Sequence, residues 1–189
     1  MKVGNRDGLV KGSPNARLMS SSVLPCFIRS TILARFAEGP TELENALRGL
    51  SESGLDLAPS QGGWSIREIV HHLVDGDDIW KSCIKMALGN EQAEFHLDWY
   101  GSFPQTHWSS SWAYAQRSVS PSLQLLKAMR RHILDLLAQR PDGWERSIAI
   151  RERDGQVTRV SVGFIVEMQA DHVFHHIDRI HAIREARGA

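Results

Sequence analysis

Histidine is the residue type whose spacing could do chemistry in this chain. Of nine histidines in 189 residues, five fall in two short runs a hundred residues apart: His71 and His72 in IVHHLVD, and His172, His175 and His176 in DHVFHHI. Imidazoles one helical turn apart on one segment, completed by a third from another, make a three-ligand metal site with room for water or substrate. Such an ion lowers the pKa of a bound water or thiol, which yields a nucleophile at neutral pH.

Turning each run at ~100° per residue sorts the five. Ile66, Ile69, Val70, Leu73, Trp80 and Ile84 share one arc, widened by Ile79 and Cys83; His72 lies within it and His71 on roughly the opposite face. In the second run His172 and His176 are stacked i,i+4 at the margin of an arc of Ile165, Val166, Val173, Ile177, Ile180 and Ile183. His175 is rotated toward Asp171 and Asp178. The expected ligands are therefore His72, His172 and His176, with His71 and His175 directed outward. Asp75, one turn beyond His72, is the candidate catalytic carboxylate, placed to orient a ligating imidazole or to shuttle a proton. A lone inward histidine is more often a hydrogen-bonded core residue, but burying several without a shared partner is costly. Periodicity alone leaves metal binding and a set of core histidines both standing.

The elements that must hold these residues read as helices. Leu24 to Leu50 has helical spacing, with a kink or fresh start expected at Gly39-Pro40 because proline cannot donate to the preceding turn. Ser65 with Glu68 forms a capping box, and Trp64 with Ile69 its hydrophobic staple, so a helix is predicted from Ile66 to about Leu88, stopping at Gly89-Asn90. Residues 90–112 show no sustained period and are rich in aromatic residues, as a long loop packed over the bundle or roofing a pocket would be. A third helix is predicted from about Ser120-Pro121 to Arg140-Pro141. Alternation on either side of Asp154-Gly155 predicts a β-hairpin, and a last helix runs from about Ser161 to Arg187. Residues 1–22 read as a polar N-terminal tail, within which Met19 is an alternative start, and residues 23–189 as one domain.

Composition removes several classes of function. Lys plus Arg and Asp plus Glu are 22 each, so no global field draws in nucleic acid or an anionic membrane. No apolar run reaches the ~18 residues of a membrane helix. Two cysteines, Cys26 and Cys83, are too few for a disulfide scaffold, and Cys83 lies three turns from His72, too far to share its ion. A reducing, cytoplasmic setting is expected. Apolar surface that would make a homodimer cannot be told from core at this level.

The run GGWSIREIVHHLVD, followed by DHVFHHI near the C-terminus, resembles the DinB/YfiT-like superfamily of metal-binding four-helix bundles. His72 matches the first ligand of that family, and His172 and His176 match its late H-x3-H pair. The resemblance spans roughly residues 24–186 and implies an all-α bundle, with a long loop between helices two and three and a small hairpin before the last. It also implies a divalent ion, commonly zinc or nickel, and a small-molecule substrate. Members are described as metal-dependent hydrolases, some as bacillithiol or mycothiol S-transferases or thiol-dependent isomerases. Where YfiT-like members often carry Ser after the Asp of the first motif, this chain has Gly76, and His96 and His107 match no family position. The reading from a different class is a metal-binding or helical interaction protein without turnover, in which an ion only fastens two helices.

Overall fold

In a computed structural model, which describes residues 26–189, four long helices carry the chain: α1 (Cys26–Leu47), α3 (Ile66–Gly89), α6 (Val119–Gln139) and α7 (Val162–Arg187). The expected tail and the Met19 start lie outside the described residues. Between the long helices come α2 (Glu52–Leu55), β1 (Glu94–His96), α4 (Asp98–Gly101), α5 (Gln105–Ser111), β2 (Ser147–Arg151) and β3 (Val157–Ser161). Local signals place several ends. Ser65 and Glu68 form the reciprocal capping box at the start of α3, and the Ser161 hydroxyl accepts from the Phe164 N–H at the start of α7.

The long helices form a ring in which α1 neighbours α7 and α6, and α3 neighbours the same two. Contacts fix their directions. Arg35 meets Asp171 and Arg184 meets the Ala46 carbonyl, so α1 and α7 run parallel. Asp77 lies level with Gln169 and His72 with His176, so α3 opposes α7. His71 meets Ser122 and Asp77 meets Arg130, so α3 and α6 run parallel. Two parallel neighbours cannot be joined by a tight turn. The chain must return the length of α3, about 35 Å at 1.5 Å per residue, before α6 begins. Residues 90–118 make that return.

This return segment is more regular than a loop. Phe103, Trp99, Tyr100, Trp108 and Trp112 pack on one another, with Tyr100 and Trp108 stacked at 5.3 Å between ring centroids. β1 adds itself in parallel to β2, Glu94 opposite Ala149, and β2 pairs antiparallel with β3, Ser147 opposite Ser161. The expected hairpin is thus two strands of a three-stranded sheet. Its third strand is too short to show a period in the sequence.

The fresh helix start expected at Gly39-Pro40 is absent: α1 continues through Pro40. Proline leaves the carbonyl four residues back, that of Phe36, without its usual donor. Arg130 supplies one, its Nη1 donating to the Phe36 oxygen at 3.0 Å. Gly39 makes the approach possible, since a Cβ there would sit 2.5 Å from that Nη1. The same guanidinium donates to Asp77 at 2.7 and 3.0 Å and to the Gln169 carbonyl at 2.9 Å, and so ties together all four long helices. This buried polar layer separates two apolar clusters. One gathers Phe36, Cys83, Ile84, Ile133, Trp144, Ile148 and Ile165 around the sheet end. The other gathers Leu43, Ile66, Ile69, Leu73, Leu126, Val173 and Ile180 around the start of α3. Burial of those side chains drives folding at roughly 1.5–3 kcal/mol each. The ion pair between them adds little net stability yet is expensive to break.

Candidate metal centre

His72 stands on the second turn of α3, and His172 and His176 stand one turn apart on α7, which runs antiparallel beside it. The three ring planes meet edge to face at centroid separations of 5.0 Å (His72–His172), 5.1 Å (His72–His176) and 4.7 Å (His172–His176). Their Nε2 atoms converge: His72 to His172 and His176 to His172 are both 3.2 Å. Two nitrogens each ~2.05 Å from one ion at the tetrahedral angle lie ~3.3 Å apart, so the spacing is that of ligands to a common ion.

Proton accounting favours the same conclusion. Nδ1 of His72 and Nδ1 of His176 are buried without a hydrogen-bond partner. If the protons sit on Nδ1, three Nε2 lone pairs face one another; if they sit on Nε2, the Nδ1 lone pairs are left bare. A cation between the Nε2 atoms removes the repulsion. Burial pushes the His72 imidazole down to about 3 and that of His172 to about 4, with each site's histidine and arginine neighbours adding to the effect. His176 is lowered in the same way, by burial first and then by His172 and His72. All three are therefore neutral at pH 7, the form that binds metal. Their atoms are the one group of three or more such side chains among the described residues placed to share an ion.

Trp64 stacks obliquely on His72 at 4.5 Å between centroids and is itself buried, closing one flank. The sequence marks Trp64 as the staple of α3 and as part of the GGWSIREIVHHLVD motif, without showing its contact with His72. Gly76, one turn after His72, faces His172, whose Cε1 lies 4.0 Å from where a Cβ would stand. The half-buried Arg179, one turn after His176, adds positive charge toward both His72 and His176.

His71 does not point outward. It is fully buried, with Nδ1 2.9 Å from the Ser122 hydroxyl and Nε2 3.2 Å from the Arg117 carbonyl. The carbonyl can only accept, so Nε2 carries the proton and Nδ1 accepts from Ser122. A single apolar arc assigned His71 to solvent, but α3 is covered on that side too, by α6 and the aromatic return. His175 is exposed, as its phase indicated.

Asp75 is half-buried, and its carboxylate faces the Arg117 guanidinium at 3.5 Å rather than the unpartnered Nδ1 of His72. Burial and, second to it, the Asp75 charge hold the Tyr114 phenol protonated. The residue that sequence reasoning passed over is Asp77, 5% exposed and joined to Arg130. A signal existed: Arg130 falls in the middle of the apolar arc of Leu126, Ile133 and Leu137.

A four-helix bundle with three imidazoles converging from two antiparallel helices defines a metal-binding class of protein. The sequence profile of the DinB superfamily matches residues 35–180. The chain belongs to that superfamily. A protein of Oceanobacillus iheyensis named a putative metal-dependent hydrolase is 25% identical over 142 residues, 75% of this chain and 77% of its own length. Another so named, from Bacillus mycoides, is 27% identical over 150 residues, 77% of this chain and 79% of its own. The structure of YfiT from Bacillus subtilis, described as a probable metal-dependent hydrolase with an unusual four-helix bundle topology, superposes with a TM-score of 0.75. At 22% identity over 89% of this chain and 92% of that one, it bears on the fold. The parallel α1/α7 and α3/α6 pairs are the topology seen here.

Proposed function

We propose that this protein is a metal-dependent enzyme in which His72, His172 and His176 hold a divalent ion, zinc or nickel, and that it transfers or hydrolyses a small-molecule substrate. The observation that carries the reading is the 3.2 Å convergence of the Nε2 atoms, buried beside Nδ1 atoms that have no other partner. When bound, the ion supplies the acidity that turns a water, or a low-molecular-weight thiol, into a nucleophile at neutral pH. The chain's own residues do the rest. Three neutral imidazoles keep protons from competing for the site, Trp64 shields one flank, and Asp75, one turn beyond His72 and facing Arg117, is the carboxylate assigned to receive or return a proton. Thiol S-transfer and hydrolysis are the two reaction types that this donor set supports, and names of relatives favour hydrolysis. A balanced charge of zero fits a small molecule better than nucleic acid as partner. Among the described residues no helix is long and apolar enough to cross a membrane. A cytoplasmic setting, and a homodimer as the assembly to check for, belong to the same proposal.

The test is metal analysis of gently purified protein beside His172→Ala. About one ion per chain is expected in the wild type, and loss of the ion with unchanged helical content in the variant. Full occupancy of His172→Ala would refute the ligand set. A screen of thiols with electrophiles and of hydrolysable esters and amides, run on both proteins, then separates transfer from hydrolysis; turnover equal in both would assign the activity elsewhere.

A further inference from the structure

On α3 and α7 the residues around the three imidazoles occupy four corners. His72 and Gly76 stand one turn apart on α3; His176 and His172 stand one turn apart on the antiparallel α7. His72 meets both His176 and His172, and Gly76 meets His172. Three corners carry nitrogen ligands and the fourth carries no side chain.

Nothing in the packing demands glycine at position 76. A Cβ there would find one atom within 4 Å, the His172 Cε1 at 4.0 Å, an ordinary contact. Gly39 and Gly163 differ sharply, since a Cβ at either would lie 2.5 Å from a neighbouring side chain. The backbone of Gly76 is α-helical, without a positive φ. Glycine in the middle of a helix weakens it relative to alanine. A residue that destabilises its helix, fills no tight contact and stands beside the carbon adjacent to a convergent Nε2 is explained by what must fit in its place.

We infer that Gly76 keeps the fourth coordination direction of the three-histidine site open and sets the bulk of the ligand admitted there, so that the group bound is an exogenous donor carrying a substituent next to its ligating atom. Trp64 closes the flank at His72, whereas a Cβ at position 76 would meet nothing nearer than the His172 Cε1. The inference rests on the three-histidine reading and deepens it. It makes the site a three-ligand centre by construction, and it predicts that a side chain added at position 76 weakens bulky donors more than slim ones.

The experiment uses Co2+ as the reporting ion, with azide as the slim probe and thiophenolate as the bulky one, both read from the visible spectrum of the loaded protein. Wild type, Gly76→Ala, Gly76→His and His172→Ala are compared. Gly76→Ala should bind Co2+ within about threefold of wild type and azide likewise, but thiophenolate at least about tenfold more weakly. Its metal-free form should melt about 2–4 °C higher, as a helix relieved of glycine does. Gly76→His should hold Co2+ at least about tenfold more tightly and lose the spectral response to both probes, having become a closed four-ligand site. Equal thiophenolate affinity in wild type and Gly76→Ala overturns the inference while leaving the three-histidine reading intact, and so does a lower melting temperature for metal-free Gly76→Ala. If His172→Ala binds Co2+ as tightly as wild type, the three-histidine reading itself fails and the inference falls with it.

Discussion

Arg130→Met should be strongly destabilising, and its cost follows from four hydrogen bonds. The guanidinium donates twice to Asp77, once to the Phe36 carbonyl and once to the Gln169 carbonyl, and is itself 1% exposed. Removing one member of a buried pair costs ~3–5 kcal/mol. Stranding the Phe36 oxygen, which Pro40 cannot serve, adds ~1 kcal/mol. A loss of about 4–6 kcal/mol is expected, from a domain stability of order 5–15 kcal/mol. Two signatures separate this account from a generic core defect. The first is pH. Burial pushes the Asp77 carboxyl up against the pull of Arg130. With Arg130 gone, its folded-state pKa, already raised by burial, rises further above the unfolded one, so the variant loses more stability than the wild type as pH rises through that raised value. The second is coupling to Pro40. Alanine at position 40 restores a backbone N–H able to reach the Phe36 oxygen, so Pro40→Ala should stabilise the Arg130→Met protein by ~1 kcal/mol more than it stabilises the wild type. Urea unfolding followed by helical circular dichroism measures all four corners of that cycle; Arg130→Lys replaces Arg130→Met if the latter does not fold. Equal effects of Pro40→Ala in the two backgrounds would refute the link between the proline and the arginine.

Further outcomes are expected. In metal-free protein, His172 and His72 have folded-state values of about 4 and about 3, below the ordinary histidine value, so the unfolded chain takes up protons first. Stability is then fully present above about pH 6.5 and declines toward pH 4 and below, by roughly 3 kcal/mol for the His172 shift alone; a flat urea midpoint over that range would contradict the burial of these rings. Gly163→Ala should lower stability by ~1–3 kcal/mol, because its Cβ would lie 2.5 Å from Nε1 of the buried Trp144; an unchanged thermal midpoint would count against that packing. Burial pushes the Cys83 thiol up to about 12. In a Cys26→Ser background it should therefore be inert to a disulfide reagent until denaturant is added, and rapid labelling of the native protein would show the core to be open there.

Much of the site was legible because it depends on local spacing. His172 and His176 are one turn apart whatever the rest of the chain does, and the Ser65–Glu68 box sets the phase of the helix that carries His72. What was hidden depends on which faces are covered. His71 reads as a surface residue until the return segment is laid along α3, because only then do Arg117 and Ser122 reach it. Pro40 reads as a break until Arg130 arrives from ninety-four positions away to satisfy the carbonyl. β1 is three residues long and is specified by its partner rather than by any alternation of its own. Direction was hidden as well: no residue in 90–112 announces that the next helix will run parallel to the one before.

That parallel return has a consequence for how the protein comes into being. His72 and His172 are a hundred positions apart, and the second stands on α7, the fourth long helix of the described residues. No fragment ending before α7 contains the donor set, so an emerging chain cannot capture an ion early and misplace it. Whatever binds at the three imidazoles holds only the finished ring, and by mass action strengthens that ring and nothing shorter. The centre thereby acts as a completeness check, in which retention of the ion marks a chain that has closed.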